Sequence, residues 1–262
     1  MKMAETQKVF IFGGAGLIGS EISKLFAKSN FRVTILDIDD SKISEQLETD
    51  ENINFQYFDV SNIDQCEDSY KAILQKYGCP DVFINSSYPR TKDWGLASFK
   101  DITLKSFREN IDIHLNTYAW LAKLTADEMV SSKIKGSIVL LGSIYGVVGQ
   151  DISIYENTPL TENMTYATIK GGITNLTRQM ASYYGQFGIR VNTLCPGGLA
   201  GHVAGKSDGQ DPIFVENYCK KVPLRRLGTA DEVASVALFL GTQASSYVSG
   251  ATIMVDGGWT AI

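Results

Sequence analysis

A tyrosine and a lysine four residues apart, Tyr166 and Lys170 in the stretch TYATIKGG, are suited to proton transfer. On a helix this spacing places both side chains on one face, about one turn apart. An ammonium group beside a phenol favours the phenolate and would lower the tyrosine pKa from about 10 toward neutrality. Such a tyrosine can exchange a proton with a carbonyl or alcohol oxygen. Taken alone, the spacing fits a surface pair on a helix better.

Ser143, in the stretch LLGSIYG, adds a hydroxyl group to this pair. The serine follows an apolar, strand-like run, and open α/β sheets bind their ligands at the carboxyl ends of strands. A hydroxyl at that position can hydrogen-bond the oxygen with which Tyr166 exchanges its proton. The three residues together favour a shared catalytic role over a surface pair.

A glycine-rich stretch near the N-terminus, IFGGAGLIGS, has the spacing of a dinucleotide-binding turn. Gly13, Gly16 and Gly19 lie between a predicted strand and a predicted helix, so the backbone can approach a pyrophosphate at the helix N-terminus. Asp37 ends the next predicted strand, where a carboxylate accepts hydrogen bonds from the adenosine ribose and repels a 2′-phosphate. The pattern predicts NAD rather than NADP. An ordinary strand-to-helix turn and a solvated strand-end acid are the alternatives.

Strand-like and helix-like segments alternate along the chain, and their pattern predicts the fold. Several strands are apolar at consecutive positions, as in parallel sheets that are buried on both faces. We therefore expect an α/β fold, with 1–262 as a single domain: a Rossmann-type, doubly wound parallel sheet of about seven strands with helices on both faces. The glycine-rich stretch at about 196–212 is predicted to be a mobile loop. The predicted strands are 8–12, 32–37, 53–58, 81–86, 137–142, 190–194 and 251–256, and the predicted helices lie near 17–29, 62–77, 103–131, 164–186 and 229–241.

Composition and charge exclude several classes of function. Of the 262 residues, 44% are hydrophobic, and the net charge is −5, which argues against a nucleic-acid-binding surface. No apolar run reaches the length of a membrane span, and the N-terminal one is too short for a signal peptide. The four cysteines are scattered without CxxC spacing, which indicates reduced thiols and no metal site. We expect a cytoplasmic protein that acts on a small molecule.

In combination, these motifs resemble the short-chain dehydrogenase/reductase family, in its short form, over nearly the whole chain. The resemblance implies reversible hydride transfer between NAD and an alcohol or carbonyl. It implies that Tyr166 is the acid/base, that Lys170 lowers the tyrosine pKa and holds the ribose, and that Ser143 hydrogen-bonds the reacting oxygen. The features that carry it occur in the family's order: the glycine turn at 13–19, Asp37, Asp59-Val60, the strand that ends at Asn85, Ser143, the Tyr166 and Lys170 pair, Pro196-Gly197 and the stretch 225–258.

The same resemblance implies the cofactor contacts and the assembly. A homodimer or homotetramer would be built on the helices near 103–131 and 164–186. The residues implied to contact NAD are Gly13, Gly16, Leu17, Ile18, Gly19, Asp37, Asp59, Val60, Asn85, Ser86, Tyr166, Lys170, Pro196, Gly197 and Leu199.

Several departures from the family pattern bear on the site. Leu17 replaces a usual glycine, so the turn is similar to that of the extended, sugar-nucleotide branch. The family's Asn-Asn-Ala-Gly motif survives only as residues 85–88. His114 stands where the family usually has an asparagine that supports a water-mediated proton relay. This histidine either replaces the relay, faces the substrate or is an ordinary core residue. The long segment between Ser143 and Tyr166 is predicted to roof the substrate pocket.

The segment SSYPRTKDWG, which follows the fourth predicted strand, indicates a polar substrate. Arginine holds phosphate or carboxylate oxygens with two hydrogen bonds, lysine adds a point charge, and tyrosines can hydrogen-bond a polar ring. The stretches SSYPRTK and GSIYGVVG also look similar to oxidoreductases of flagellin-modification and nonulosonic-acid sugar pathways, which implies a sugar, phosphorylated or nucleotide-linked. Solvated loop charges are the alternative. The predicted substrate contacts are Tyr88, Arg90, Lys92, Tyr145 and Tyr155, with His202 and Lys206 in the glycine-rich loop.

Two other functions remain open from the sequence. The extended-type glycine turn also fits an NAD-dependent sugar epimerase or dehydratase. A redox sensor would bind NAD through the same turn without catalysis, and the histidine at position 114 is the one feature on its side. The intact serine, tyrosine and lysine favour hydride transfer over both.

Overall fold

The computed structural model describes residues 6–39, 50–201 and 210–262. Within these ranges, seven parallel strands form one sheet in the order β3-β2-β1-β4-β5-β6-β7. This sheet confirms the predicted fold class. The largest difference at a strand end is at β6, which continues past its predicted end at 194 to Pro196. The strands are β1 Lys8–Phe12, β2 Arg32–Asp37, β3 Ile53–Tyr57, β4 Val82–Asn85, β5 Ser137–Leu141, β6 Arg190–Pro196 and β7 Thr252–Val255.

The helices agree with the sequence prediction except in two places. The predicted helix 103–131 contains a π-helical segment, Ile111–Asn116, between two α-helices. Helix α6 was not predicted, although Asp211 caps it by accepting a hydrogen bond from the Phe214 N–H and Pro212 starts it. The α-helices in the described ranges are α1 Leu17–Lys28, α2 Ile63–Tyr77, α3 Leu104–Asn110, α4 Thr117–Ser131, α5 Met164–Tyr184, α6 Pro212–Lys221 and α7 Ala230–Gly241.

The core lies on both faces of the sheet, as the alternation along β1 illustrates. Phe10 and Phe12 pack with side chains of α2, α4 and α5 on one face. Val9 and Ile11 pack with α1 and α7 on the other. All four are at most 1% exposed, and burial of each such side chain contributes about 1.5–3 kcal/mol of transfer free energy. The long apolar runs of the central strands follow from this two-sided burial.

The strand order places a ligand crevice at one edge of the sheet. From β1 the chain continues outward to β2 and β3, and then returns to the other side of β1 as β4. Where strand order reverses in this way, the helices on the two sides diverge and leave a crevice at the carboxyl ends of the strands. No helix in the described part of the chain has the length and apolarity needed to cross a membrane.

Candidate active site

A cleft of about 650 Å³ opens at the carboxyl ends of the central strands, where the reversal of strand order predicts it. It brings together the glycine turn, the end of β2 and the Tyr166 and Lys170 pair. Asn85 is the one predicted cofactor contact that does not line the cleft, and its side chain is buried. Its Oδ1 accepts hydrogen bonds from the Ser87 N–H at 3.1 Å and the Ser87 hydroxyl at 2.6 Å. The predicted contacts that line the cleft are Gly13, Gly16, Leu17, Ile18, Gly19, Asp37, Asp59, Val60, Ser86, Tyr166, Lys170, Pro196, Gly197 and Leu199.

The glycine turn is shaped by close approaches that only glycine allows. Gly13 has a φ of +70°, and a Cβ there would lie 2.6 Å from the Ser87 Cα. A Cβ at Gly19 would lie 2.0 Å from the Gly13 carbonyl oxygen. Gly16 is the N-cap of α1 and supplies no side-chain acceptor, so the first amides of α1 are left for a ligand at the helix N-terminus. These residues fit the pyrophosphate of a dinucleotide.

Asp37 joins the end of β2 to the glycine turn. Its Oδ2 accepts a hydrogen bond from the Ala15 N–H at 3.0 Å, and its Oδ1 accepts one from the Ile38 N–H at 2.8 Å. Asp39 lines the cleft beside it. The end of β2 thus places two carboxylates at the cleft.

The three predicted catalytic residues meet at one point. Asn163 caps α5, its side chain accepting a hydrogen bond from the Tyr166 N–H at 2.7 Å. Ser143 follows β5, and its Oγ accepts a hydrogen bond from the Tyr145 N–H at 3.2 Å. A Cβ at Gly146 would lie 2.5 Å from the Lys170 carbonyl oxygen, so the turn after Ser143 packs directly on α5. The serine, the tyrosine and the lysine therefore share one rigid corner.

The protonation of the pair differs from the sequence-based expectation. Burial raises the pKa of Tyr166, and the hydrogen bond with Ser143 opposes this only in part. Burial lowers the pKa of Lys170 to about 7, and its Nζ donates a hydrogen bond to the Leu141 carbonyl at 2.8 Å. The expected lowering of the tyrosine pKa by the lysine is not met, because both groups have lost the hydration that stabilises their charged forms.

His114 lies in the wall of this corner, within the π-helical segment. Its ring centroid is 5.5 Å from that of Tyr88 and 5.2 Å from that of Tyr118. Within the described residues neither ring nitrogen has a hydrogen-bond partner of normal geometry. Burial and the charge of Lys170 hold the pKa of His114 well below its usual range, and the Pro89 backbone opposes this only weakly. The imidazole is therefore neutral.

Of the predicted substrate residues in the described ranges, Tyr88 and Arg90 line the cleft, whereas Lys92, Tyr145 and Tyr155 do not. Tyr88 and Arg90 line the cleft, with the Arg90 guanidinium 5.5 Å from the Tyr88 ring centroid. Tyr145 lies with its ring centroid 6.4 Å from that of Tyr166. Lys92 is exposed and does not line the cleft. His202 and Lys206, with the rest of 202–209 in the predicted loop, lie outside the described residues.

Tyr155 belongs to the segment predicted to roof the substrate pocket, and this segment is fastened to α6. The Tyr155 hydroxyl donates a hydrogen bond to the Gln150 Oε1 at 2.9 Å, and its ring stacks on Phe214 of α6. Lys221 of α6 forms a 2.9 Å ion pair with Asp151. On the same face of α6 as Phe214, Tyr218 stacks on Trp259 at 4.4 Å and accepts a 2.6 Å hydrogen bond from the Gly198 N–H.

Two aromatic residues of the site were missed by the sequence analysis. Trp94 lies with its ring centroid 6.3 Å from that of Tyr166, and Tyr118 lines the cleft from α4. Trp94 occurs in the segment SSYPRTKDWG and could have been included with it. Tyr118 carries no motif. Within the ranges that the structure describes, no cluster of His, Cys, Asp and Glu could hold a metal ion.

Comparison with known proteins agrees with this geometry. The family model described as enoyl-(acyl carrier protein) reductase matches residues 14–260. Post-translational flagellin modification protein A of Campylobacter coli is 29% identical over 98% of this chain and 99% of its own. Short-chain dehydrogenase reductase 3b of Arabidopsis thaliana is 30% identical over 100% of this chain and 98% of its own.

A solved structure extends the similarity to three dimensions. The short-chain dehydrogenase of Leptospira borgpetersenii with bound NAD⁺ superposes with a TM-score of 0.85 at 29% identity, covering 98% of this chain and 93% of that one. The glycine turn, the strand order and the serine, tyrosine and lysine corner lie within the matched length. The chain belongs to the short-chain dehydrogenase/reductase family of oxidoreductases.

Proposed function

We propose that this oxidoreductase is NAD(H)-dependent and transfers a hydride between the nicotinamide and an alcohol or carbonyl group of a polar, sugar-type substrate. The observation that supports this most strongly is that Tyr166 and Lys170 line one cleft with the glycine turn, while Ser143 hydrogen-bonds Tyr166. NAD, when bound, supplies the hydride acceptor or donor. The protein residues then have to transfer the proton to or from the substrate oxygen.

The proton chemistry follows from the geometry of the corner. In the reducing direction, Tyr166 gives its phenolic proton to the carbonyl oxygen of the substrate, and Ser143 donates a hydrogen bond to the same oxygen. Lys170 titrates near neutral pH because its pKa is about 7, so it can restore the tyrosine proton. His114 is proposed as a neutral part of the proton path or of the substrate wall, in place of the family's asparagine.

The proposed preference for NAD over NADP rests on the end of β2. Asp37 and Asp39 both line the cleft there, and a 2′-phosphate would meet their negative charges. The Leptospira borgpetersenii relative contains bound NAD⁺, which is consistent with the same choice. The other predicted cofactor contacts are proposed because, apart from Asn85, they line the same cleft.

The proposed substrate class rests on the segment after β4. Arg90 brings a guanidinium to the cleft, and Tyr88 and Tyr145 bring phenols close to the catalytic tyrosine. Arginine suits a phosphate or carboxylate group, and phenols suit hydroxyl groups. The similarity to flagellin modification protein A agrees with the sugar-pathway resemblance of the sequence. Lys92 would contribute only through its longer-range charge.

We further propose a cytoplasmic homodimer or homotetramer. The four cysteines are free thiols, as expected in a reducing compartment. Helices α4 and α5 expose Trp120 at 43% and Tyr183 at 57%, which leaves aromatic surface for a second copy.

The function is tested by a panel of sugars, sugar phosphates and sugar acids, together with apolar ketones, monitored by NADH absorbance with the full chain. We expect turnover with the polar members, a preference for NADH over NADPH, and loss of turnover in Tyr166→Phe. Activity confined to apolar ketones would contradict the substrate class. NADH binding without turnover on any member would favour the redox sensor, and isomerisation without net NADH change would favour an epimerase.

A further inference from the structure

The catalytic lysine is enclosed by aromatic rings. Its Nζ lies 5.3 Å from the Tyr118 ring centroid, 5.7 Å from that of Tyr166 and 6.0 Å from that of Tyr88. The residue is 3% exposed, and its Nζ donates a hydrogen bond to the Leu141 carbonyl at 2.8 Å. In the described part of the chain, no carboxylate forms an ion pair with it. The Leu141 carbonyl and the three ring faces are therefore the groups that supply negative potential to the ammonium.

An aromatic face attracts a cation within about 6 Å, and the attraction grows when water is excluded. Tyr118 gives the shortest of the three distances and is fully buried. Its hydroxyl donates a hydrogen bond to the Ser87 carbonyl at 2.8 Å, which fixes the orientation of its ring. The Tyr118 ring is thus held next to the ammonium group.

The groups that face Lys170 from the other elements add no negative charge near neutral pH. They are Tyr88 after β4, His114 and Tyr118 on the π-helical segment and α4, Tyr166 on α5, and Cys195 on β6. Burial raises the pKa of Cys195 to about 11, and burial also raises the pKa of each tyrosine. The imidazole is neutral, and β5 offers only its carbonyl and the Ser143 hydroxyl.

We propose that Tyr118 is a positioning residue for the catalytic lysine, its ring face, together with that of Tyr88, holding the Lys170 side chain in its charged form beside Tyr166. This rests on the proposed function in one respect, that the lysine takes part in proton transfer. Burial favours the neutral amine, and the rings favour the ammonium. The balance of the two sets the pH range in which the lysine is charged.

The test compares two substitutions at one position. Tyr118→Phe keeps the ring face and loses the hydrogen bond to Ser87, whereas Tyr118→Leu loses the ring face as well. The titration of Lys170 is followed through its ¹³Cε chemical shift in lysine-labelled full-length protein, with Lys170→Met for assignment. This readout needs no substrate. We expect the midpoint to fall by about one pH unit in Tyr118→Leu and to stay at the wild-type value in Tyr118→Phe.

A kinetic measurement gives a second, separate readout. The ammonium form is lost as pH rises through the lysine pKa, so a lower pKa moves the alkaline limb of NADH-dependent carbonyl reduction to lower pH. We expect this shift in Tyr118→Leu and not in Tyr118→Phe. Absence of turnover in the wild-type protein would defeat the proposed function and leave the chemical-shift titration as the test of the ring contact.

Equal midpoints in Tyr118→Leu and Tyr118→Phe would overturn the proposal. If thermal denaturation shows that Tyr118→Leu does not fold, the half-buried Tyr88 provides the same comparison, because Tyr88→Leu and Tyr88→Phe remove and keep a ring face at the cleft. If the Lys170 titration midpoint falls in Tyr88→Leu and not in Tyr88→Phe, the result supports stabilisation of the ammonium by the rings. Equal midpoints in the two variants reject it.

Discussion

Tyr166 is surrounded by three other aromatic rings. Tyr88, Trp94 and Tyr145 all meet its ring edge to face, at centroid distances of 6.0 to 6.4 Å. Tyr166→Phe should therefore keep the shape of the site and NADH affinity, measured by fluorescence titration. We expect turnover to fall about 10²–10⁴-fold, because only the proton donor is lost. Retention of full activity would show that another group supplies the proton.

Asp37 both shapes the glycine turn and carries charge at the adenosine end of the cleft. Asp37→Arg should weaken NADH binding, since the Ala15 N–H loses its acceptor, and should favour NADPH in relative terms, since the repulsion of the 2′-phosphate is replaced by attraction. The readout is the ratio of the two dissociation constants. Asp68→Ala, on the exposed side of α2, serves as the charge control. An unchanged ratio would reduce Asp37 to a structural acceptor.

Arg90 and Lys92 test whether the substrate is anionic. Replacing both by alanine should raise KM for a sugar phosphate or sugar acid roughly tenfold or more, if the Arg90 contact is worth about 1.5 kcal/mol. Most of the effect should come from Arg90, because it lines the cleft and Lys92 does not. Lys100→Ala removes an exposed charge that lies shortly after this segment and should leave KM unchanged. A neutral substrate with the same KM in all variants would contradict an anionic class.

At the level of elements, the sequence was informative wherever an apolar pattern is tied to burial on the sheet. It predicted the ends of β1 and β2 correctly, and the interior residues of both strands are buried. It gave no sign of the π-helical segment, since a change in backbone hydrogen bonding leaves the apolar spacing of a helix nearly unchanged. It missed α6 because that helix packs on the roof segment and on Trp259 rather than on the sheet.

Arg190 closes the C-terminal end of α7 through hydrogen bonds to carbonyl and hydroxyl oxygens. Its guanidinium donates hydrogen bonds to the carbonyls of Leu240 at 2.9 Å and Thr242 at 3.1 Å, and to the Ser245 hydroxyl at 2.8 Å. Carbonyls at a helix end have no partner within the helix. Lysine keeps the charge and loses the planar fork, so Arg190→Lys should lower the free energy of unfolding by about 2 kcal/mol.

Urea denaturation measures this effect, with the exposed Arg32→Lys as the matched control. Activity per folded molecule should be preserved, because Arg190 begins β6 and the cleft lies at the other end of that strand. Loss of activity in a fully stable Arg190→Lys protein would mean that changes at the start of β6 alter the active site.

For the whole molecule, the order of motifs along the chain was enough to predict both the sheet and the edge where ligands bind. Parallel strands must all end at one side, so residues at 13–19, 37, 85, 143 and 166–170 converge once the fold is known. The aromatic enclosure of the lysine could not be predicted from the sequence, because it depends on how α4 docks against the loop after β4. The raised pKa of Tyr166 could not be predicted either, because it follows from the burial of the side chain in the folded protein.

Assembly is tested on the exposed aromatic surface of α4 and α5. Replacing Tyr183, which is 57% exposed, by glutamate places a charge where a second copy would bury the ring. Sedimentation velocity should find a dimer or tetramer for the wild-type protein and a shift toward monomer for Tyr183→Glu. A wild-type monomer at micromolar concentration would contradict the proposed assembly.

The stack of Tyr218 on Trp259 gives the protein an optical signal for its own cofactor region. The Tyr218 hydroxyl is bonded to the Gly198 N–H, next to the predicted cofactor contacts Pro196 and Gly197. A change in this backbone on ligand binding would therefore alter the surroundings of the indole and shift its emission. With Trp94 and Trp120 replaced by phenylalanine, the remaining tryptophan fluorescence would come from Trp259 alone, because the chain has 3 tryptophans. Oxidised NAD, which does not fluoresce, could then be titrated without any label.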